Sequence, residues 1–202
     1  MLVCPKEISI SNIIEKKSLS PKNFSKIDIT KNEKVPLSFF LDKENPFFMG
    51  EEPGSFAYVR KSDISFIRNS CIDSQNFSHQ VSKEICLNPK YAYKNFLTND
   101  DVLLCKDANI GDSAIFIPEE KEKYIISSGL VKLNFKSRAY KYYCFAFLRD
   151  KYFLNQLDSK TPKGSTIRHA GSKFLECLIP TIGEKEKNLL GLIEVLVKNI
   201  SY

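Results

Sequence analysis

Between Ser159 and Ile182 the chain reads SKTPKGSTIRHAGSKFLECLIPTI. Lys163, Ser165, Thr166, Arg168 and His169 crowd together there, punctuated by Gly164 and Gly171. Residues of these types could supply a nucleophile and its base, cradle a phosphate, or lie on a large anion. Catalysis of the first kind lacks companions. The two histidines, His79 and His169, have no His or Cys neighbours at metal-ligand spacing. The six cysteines, Cys4, Cys71, Cys86, Cys105, Cys144 and Cys177, form no CxxC pair. A phosphate cradle is equally unsupported: there is no GxxxxGK[ST] and no GxGxxG, and Lys163-Gly164-Ser165-Thr166 lacks the leading glycine of a P-loop. A nuclease needs clustered carboxylates for Mg²⁺, whereas Glu119 and its charged neighbours read as an exposed turn. No Asn-Pro-Pro-aromatic motif for adenine methylation is present. What remains is a binding loop. Its hydroxyls suit phosphate oxygens, Arg168 could fork onto a guanine edge, and Lys163 could pair with a phosphate. His169 stays open between such a contact and a local hydrogen bond.

The elements that must carry this loop are legible in outline. A chain of 202 residues, 43% hydrophobic and 27% charged, fits a globular domain with an appendage or one large α/β domain. The net charge is +6, but residues 121–173 hold twelve Lys/Arg against three acids, a local +9 that leaves −3 for the rest. Such asymmetry favours an anionic partner, most often nucleic acid. FAYVRKSDISF alternates as a half-buried strand does, DVLLCKDANIGDSAIFIP reads as strand–turn–strand across Asp107–Asp112, and YIISSGLVKLNF as a further strand pair. AYKYYCFAFLRDKYFLNQLDS has helical spacing, and KFLECLIP reads as a strand. After Pro180, Leu189, Ile193, Leu196 and Ile200 step by four, three and four, an a/d-type seam. No charged start followed by a long apolar core marks a signal peptide, and no apolar run reaches the roughly 20 residues of a membrane span. Cysteines set in apolar runs read as reduced thiols, and the expected location is cytoplasmic.

Three segments, in order, resemble one family. FAYVRKSDISF, NFLTNDDVLLCKDANIGDSAIF and GSTIRHAGSKFLECLIPTIGEKEK are similar to the entry strand, hairpin and exit of a target recognition domain in the specificity (S) subunit of type I restriction-modification enzymes. The likeness covers roughly Phe56 to Lys187. It departs at Lys106-Asp107-Ala108, where the family has Lys-Asp-Gly, and at Pro180-Thr181-Ile182 and Glu184-Lys185, where it has Pro-x-Pro and Glu-Gln. The resemblance implies an α/β fold: a mixed twisted sheet recognition domain with flanking helices (residues 1–180), followed by a projecting C-terminal helix of coiled-coil type (181–202). It implies a non-catalytic subunit without cofactor or metal that reads double-stranded DNA and positions methyltransferase (M) and restriction/translocase (R) subunits. One recognition domain where the family has two implies a half-subunit that pairs with a second copy, or part of a longer chain. The expected DNA contacts are Arg60, Lys61, Lys106, Lys163, Gly164, Ser165, Thr166, Arg168 and His169, with Leu189, Ile193, Leu196 and Ile200 facing a partner helix. For Lys106 a solvated turn lysine remains the other reading, and Tyr58 and Phe66 read as core. The competing class is a fused restriction-methylation enzyme or a small Mg²⁺-dependent nuclease.

Overall fold

The computed structural model describes residues 2–3, 10–11, 26–27, 33–73, 78–79, 85–118, 123–162, 168–183 and 187–201. The chain forms two compact units, 1–33 and 34–202. In the first unit, β1 (Leu2–Val3) pairs antiparallel with β2 (Lys26–Ile27).

The second unit holds the recognisable elements. Its strands are β3 (Lys34–Pro36), β4 (Phe47–Met49), β5 (Tyr58–Val59), β6 (Ile64–Ile67), β7 (Ile72–Asp73), β8 (Ser78–His79), β9 (Ile85–Leu87), β10 (Val102–Cys105), β11 (Ser113–Ile115), β12 (Lys123–Ile126), β13 (Leu130–Leu133) and β14 (Leu178–Pro180). Its helices are α1 (Arg138–Leu148), α2 (Lys151–Lys160) and α3 (Asn188–Ser201). One four-stranded sheet, β11-β10-β13-β4, is antiparallel throughout. The other, β12-β6-β9-β5, is mixed because β12 runs parallel to β6. The α/β class with a mixed sheet and a C-terminal helix is as the sequence implied.

Strand alternation explains how the layers hold together. Val102 and Leu104 of β10 join the core beneath the helices, while Leu103 and Cys105 join a second core with Tyr124 and Ile126 of β12 and Ile67 of β6. Ile64, Phe66 and Ile125 face the other way, into a third cluster with Tyr58 packed against it. Tyr58 and Phe66 are thus core-packing residues. β10 is buried on both faces, which is why VLLC reads as an unbroken apolar run.

YIISSGLVKLNF is not a hairpin: β12 and β13 belong to different sheets, and the tight turn at Ser127–Gly129, closed by Leu130 N–H donating to the Ser127 carbonyl (2.8 Å), carries the chain between them. Gly50 lies against this crossing so closely that a Cβ there would overlap the Ile126 and Ser127 carbonyls. The long helical segment is two helices, because Asp150 caps the second by accepting from Tyr152 N–H at 2.7 Å. KFLECLIP begins as a 3-10 turn (Lys173–Glu176) before β14. Gln156 of α2 then brackets β14, donating to the Leu178 carbonyl (3.0 Å) and accepting its N–H (2.8 Å).

Candidate nucleic-acid interface

The β10–β11 hairpin turn and the segment after α2 are joined edge to edge. Ala108 N–H donates to the Arg168 carbonyl (3.1 Å) and Ala170 N–H to the Lys106 carbonyl (2.8 Å), a short antiparallel bridge that aligns Asp107 with His169. Two segments some sixty positions apart in the chain, each singled out by motif, thus form one junction. The turn itself is tight: Gly111 N–H donates to the Cys105 carbonyl (2.9 Å) and Cys105 N–H to that of Asp112 (2.8 Å). Ala108 adopts φ +57°, the left-handed conformation that glycine takes without steric cost. The Ala-for-Gly departure therefore leaves the turn's geometry in place and puts the strain on Ala108.

Side chains extend the junction. The Asp107 carboxylate receives Lys106 Nζ at 2.6 Å and lies 2.9 Å from His169 Nδ1. Lys106 and Asp107 are nearly buried, while the His169 ring is 62% exposed. Asn69 ties the base of the turn to the sheet crossing: its amide donates to the carbonyls of Asp107 (2.6 Å) and Gly129 (3.4 Å), and its Oδ1 accepts from Ser127 Oγ. Asp107 and Asn69, neither a candidate in the sequence, hold the junction together. Asp107 was visible within the Lys-Asp-Ala turn. Asn69 carries no motif, since its partners are distant in sequence.

Arg168 reaches back to α2, with Nη2 2.7 Å from Asp158 Oδ1, and its Nε and Nη2 atoms are buried. The guanidinium edge suited to a guanine fork is thus turned into the protein. Lys163, Gly164, Ser165 and Thr166 lie outside the described residues. Arg60 and Lys61 are exposed at the end of β5.

Much of the basic stretch is neutralised within the chain. Lys132 faces Asp101 (3.3 Å), Arg138 faces Glu194 (2.9 Å), and Lys160 and Lys173 share Glu176 (3.4 and 2.9 Å). Lys141 donates to the Asp100 carbonyl (2.9 Å), and Arg149 to that of Ser113 (2.5 Å). Burial lowers the Lys141 and Arg149 pKa values from those of exposed side chains. These carboxylates come from outside residues 121–173, so the local +9 overstates the charge presented outward.

Among the described cysteines, Cys71, Cys105, Cys144 and Cys177 are buried and Cys86 is half-buried. Burial pushes Cys177 up to about 12 and Cys105 and Cys144 well above the ordinary thiol range, which withholds the nucleophilic thiolate. Among the described residues no cluster of three or more His, Cys, Asp or Glu is placed to hold a metal, and no helix is long and apolar enough to cross a membrane.

The C-terminal helix presents one face to the core and another outward. Leu190 and Ile193 pack on the core beneath α1, and Val197 is buried in it. Leu189, Leu192, Val195 and Leu196 are each about half exposed. At 3.6 residues per turn, Leu190, Ile193 and Val197 fall within about 60° of one another, and so do Leu189, Leu192 and Leu196 on a neighbouring stripe. Of the expected seam residues, Leu189 and Leu196 lie on the outward stripe and Ile193 packs, partly buried, against the core. The Ile200 side chain lies outside the described residues. Glu194 secures the docked face, 2.9 Å from Arg138 of α1 and 3.1 Å from Lys198. Its carboxyl is held below the ordinary value chiefly by the hydrogen bond from Lys198, then by that from Arg138.

Neither a family model nor any curated protein matches the sequence. Solved structures do match. A structure concerned with complex assembly and conformational transition of the type I R-M system superposes with TM-score 0.57 at 17% identity, over 86% of this chain and 40% of that one. The HsdS subunit from Thermoanaerobacter tengcongensis gives 0.54 at 16%, over 86% and 40%. The type I restriction-modification S subunit from M. genitalium gives 0.53 at 12%, over 85% and 41%. With less than half the length of each of these chains covered, this chain has the fold of one portion of a type I restriction-modification S subunit.

Proposed function

We propose that this chain is a sequence-specific double-stranded DNA recognition module, acting as one half of a type I specificity subunit. The observation that carries the reading is the junction of Lys106–Ala108 with Arg168–Ala170, built from two of the three motif segments, within a fold shared with S subunits. It places an exposed imidazole on a braced turn, as direct readout of base edges requires. Arg60 and Lys61, exposed at the end of β5, together with Lys106, Lys163, Gly164, Ser165 and Thr166, supply the contacts to the DNA backbone. The module has no catalytic role of its own; it positions methyltransferase and restriction subunits in the cytoplasm. Its α3 stripe of Leu189, Leu192 and Leu196 pairs with a helix from a second copy or second half, and a two-fold pair would then read an inverted-repeat site with a spacer set by domain separation.

The test is binding of the purified chain to duplex DNA with and without Mg²⁺. The reading predicts a retarded complex and neither cleavage nor methyl transfer in the absence of partner subunits. Log K should fall by roughly 0.9 per phosphate neutralised for each decade of salt. Cleavage by the isolated chain would instead favour a nuclease.

A further inference from the structure

We propose that Phe56 is a wedge that stacks on a base at one step of the bound duplex, while Lys90 and Lys94, with Arg60 and Lys61, hold the flanking phosphates. The proposal rests on the DNA-recognition reading above and adds to it a second contact surface and a local deformation of the DNA. Phe56 is 72% exposed, yet its ring is held in place. It lies in the 3-10 turn Ser55–Ala57, which Ala57 closes by donating its N–H to the Gly54 carbonyl at 2.9 Å. The ring folds back over Gly54 so closely that a Cβ there would come within 2.3 Å of its Cε1 atom. Tyr91 meets it edge to face, with ring centroids 5.5 Å apart, and Lys90 Nζ lies 5.0 Å from the centre of the Tyr91 ring. Asn88 ties the two turns together. Its N–H donates to the Ala57 carbonyl (2.8 Å), its side chain accepts from Lys90 N–H (3.1 Å), and its carbonyl accepts from Tyr91 N–H (3.3 Å) and the Tyr93 hydroxyl (3.0 Å). A ring already immobilised in water loses little freedom when it binds.

Charge decides what covers this ring. The segments 54–61 and 85–95 carry Arg60, Lys61, Lys90 and Lys94 and no Asp or Glu. All four cations are exposed, and among the described residues none of them meets a carboxylate in an ion pair. Acids of the adjoining segments have partners of their own: Glu51 accepts the Lys94 backbone N–H (2.5 Å), Glu52 accepts from Ser128 Oγ (3.4 Å), and Asp63 faces Lys123 (3.8 Å). The basic stretch 121–173 is largely neutralised within the chain, whereas this edge presents its cations outward. β5 pairs with β9 through Tyr58↔Leu87 and Val59↔Cys86, so Phe56 stands at one end of the pair and Arg60 at the other, about 13 Å along it. Duplex DNA carries one charge per ~1.7 Å of its axis, so several phosphates fall within that span. DNA offers flat apolar base faces beside a run of anions, the two features this edge matches. An apolar side chain set among cations can insert at a base step, unstack it and kink the duplex.

The test uses the full chain and a duplex selected from a random library, with 2-aminopurine placed in turn at each position in and beside the selected site. Wild-type binding should raise the fluorescence at one position, as unstacking does. Phe56→Ala should abolish that rise and weaken binding by about five- to a hundredfold, and Phe56→Tyr should keep both. Lys90→Ala and Lys94→Ala should each lower the slope of log K against log salt by about 0.9. A wild-type complex with no position unstacked would overturn the proposal. So would Phe56→Ala with wild-type affinity and an unchanged fluorescence map. Weakened self-association of Phe56→Ala with DNA binding intact would assign the patch to a second copy and overturn it as well. Should melting show that Phe56→Ala does not fold, the wild-type fluorescence map and the Lys90→Ala slope decide. A wild-type chain that selects a duplex while Phe56→Ala binds it identically refutes this inference and spares the recognition reading. A wild-type chain with no duplex selectivity refutes both.

Discussion

Around Asp107 the exposed group is an imidazole braced by a carboxylate, a lysine, two backbone bonds and an asparagine, whereas along α3 the exposed groups are leucines supported from one side only. At the junction, exposure costs little, since the polar ring is content in water. On α3, fully covering a leucine instead of leaving it in water is worth about 1.5–3 kcal/mol, and these leucines are half exposed. The two surfaces thus call for different partners. A rigid polar edge suits a ligand read by hydrogen bonds, and an apolar stripe suits another protein helix.

Substitutions that separate the two faces of α3 should have the largest effects. Val197→Asp places a charge against the core at a position 8% exposed, and should cost about 3 kcal/mol or more of folding stability in urea titration. Leu196→Glu, on a side chain 51% exposed, should leave the urea midpoint within experimental spread and weaken self-association by about 2 kcal/mol or more, read by analytical ultracentrifugation. Equal destabilisation by both would mean that the outward stripe is covered by the chain's own domain. A wild-type chain monomeric at high micromolar concentration would remove the pairing role.

At the junction the effects are smaller. Asn69→Ala removes the donor to the Asp107 and Gly129 carbonyls and should cost about 1–3 kcal/mol, with amide exchange of Ala108 and Ala170 accelerated by the same free energy if the turn loosens first. Unchanged exchange there would show that the backbone bridge stands without Asn69. Ala108→Gly relieves the left-handed alanine and should raise stability by about 1 kcal/mol in thermal melts. A loss of stability would place the strain elsewhere.

Legibility in the sequence followed the range of the forces involved. The hairpin Val102–Ile115 was readable because β-branched and apolar runs flank a turn of Asp, Asn and Gly, all local signals. The break between α1 and α2 rests on one capping carboxylate, Asp150, which helical periodicity overrides when read alone. The separation of β12 from β13 depends on pairing with β6 and β10 and left no local trace. Along α3, a four-and-three count lets Ile193 belong to either stripe, and only packing on the domain decides which way it faces. For the candidate site, motif order brought Lys106, Arg168 and His169 to attention, but nothing local announced that the two segments meet, and charge counting could not foresee that Asp158 engages Arg168 or that distant acids meet much of the basic stretch.

Selective recognition of duplex DNA is measured most directly as the ratio of affinities for a duplex selected from a random library and for its scrambled counterpart, at about 150 mM salt. A ratio of about 10³ or more is expected, with the selected motif lost when the duplex is replaced by single strands. Equal affinity for both duplexes, or no duplex enriched even at low salt, would contradict it.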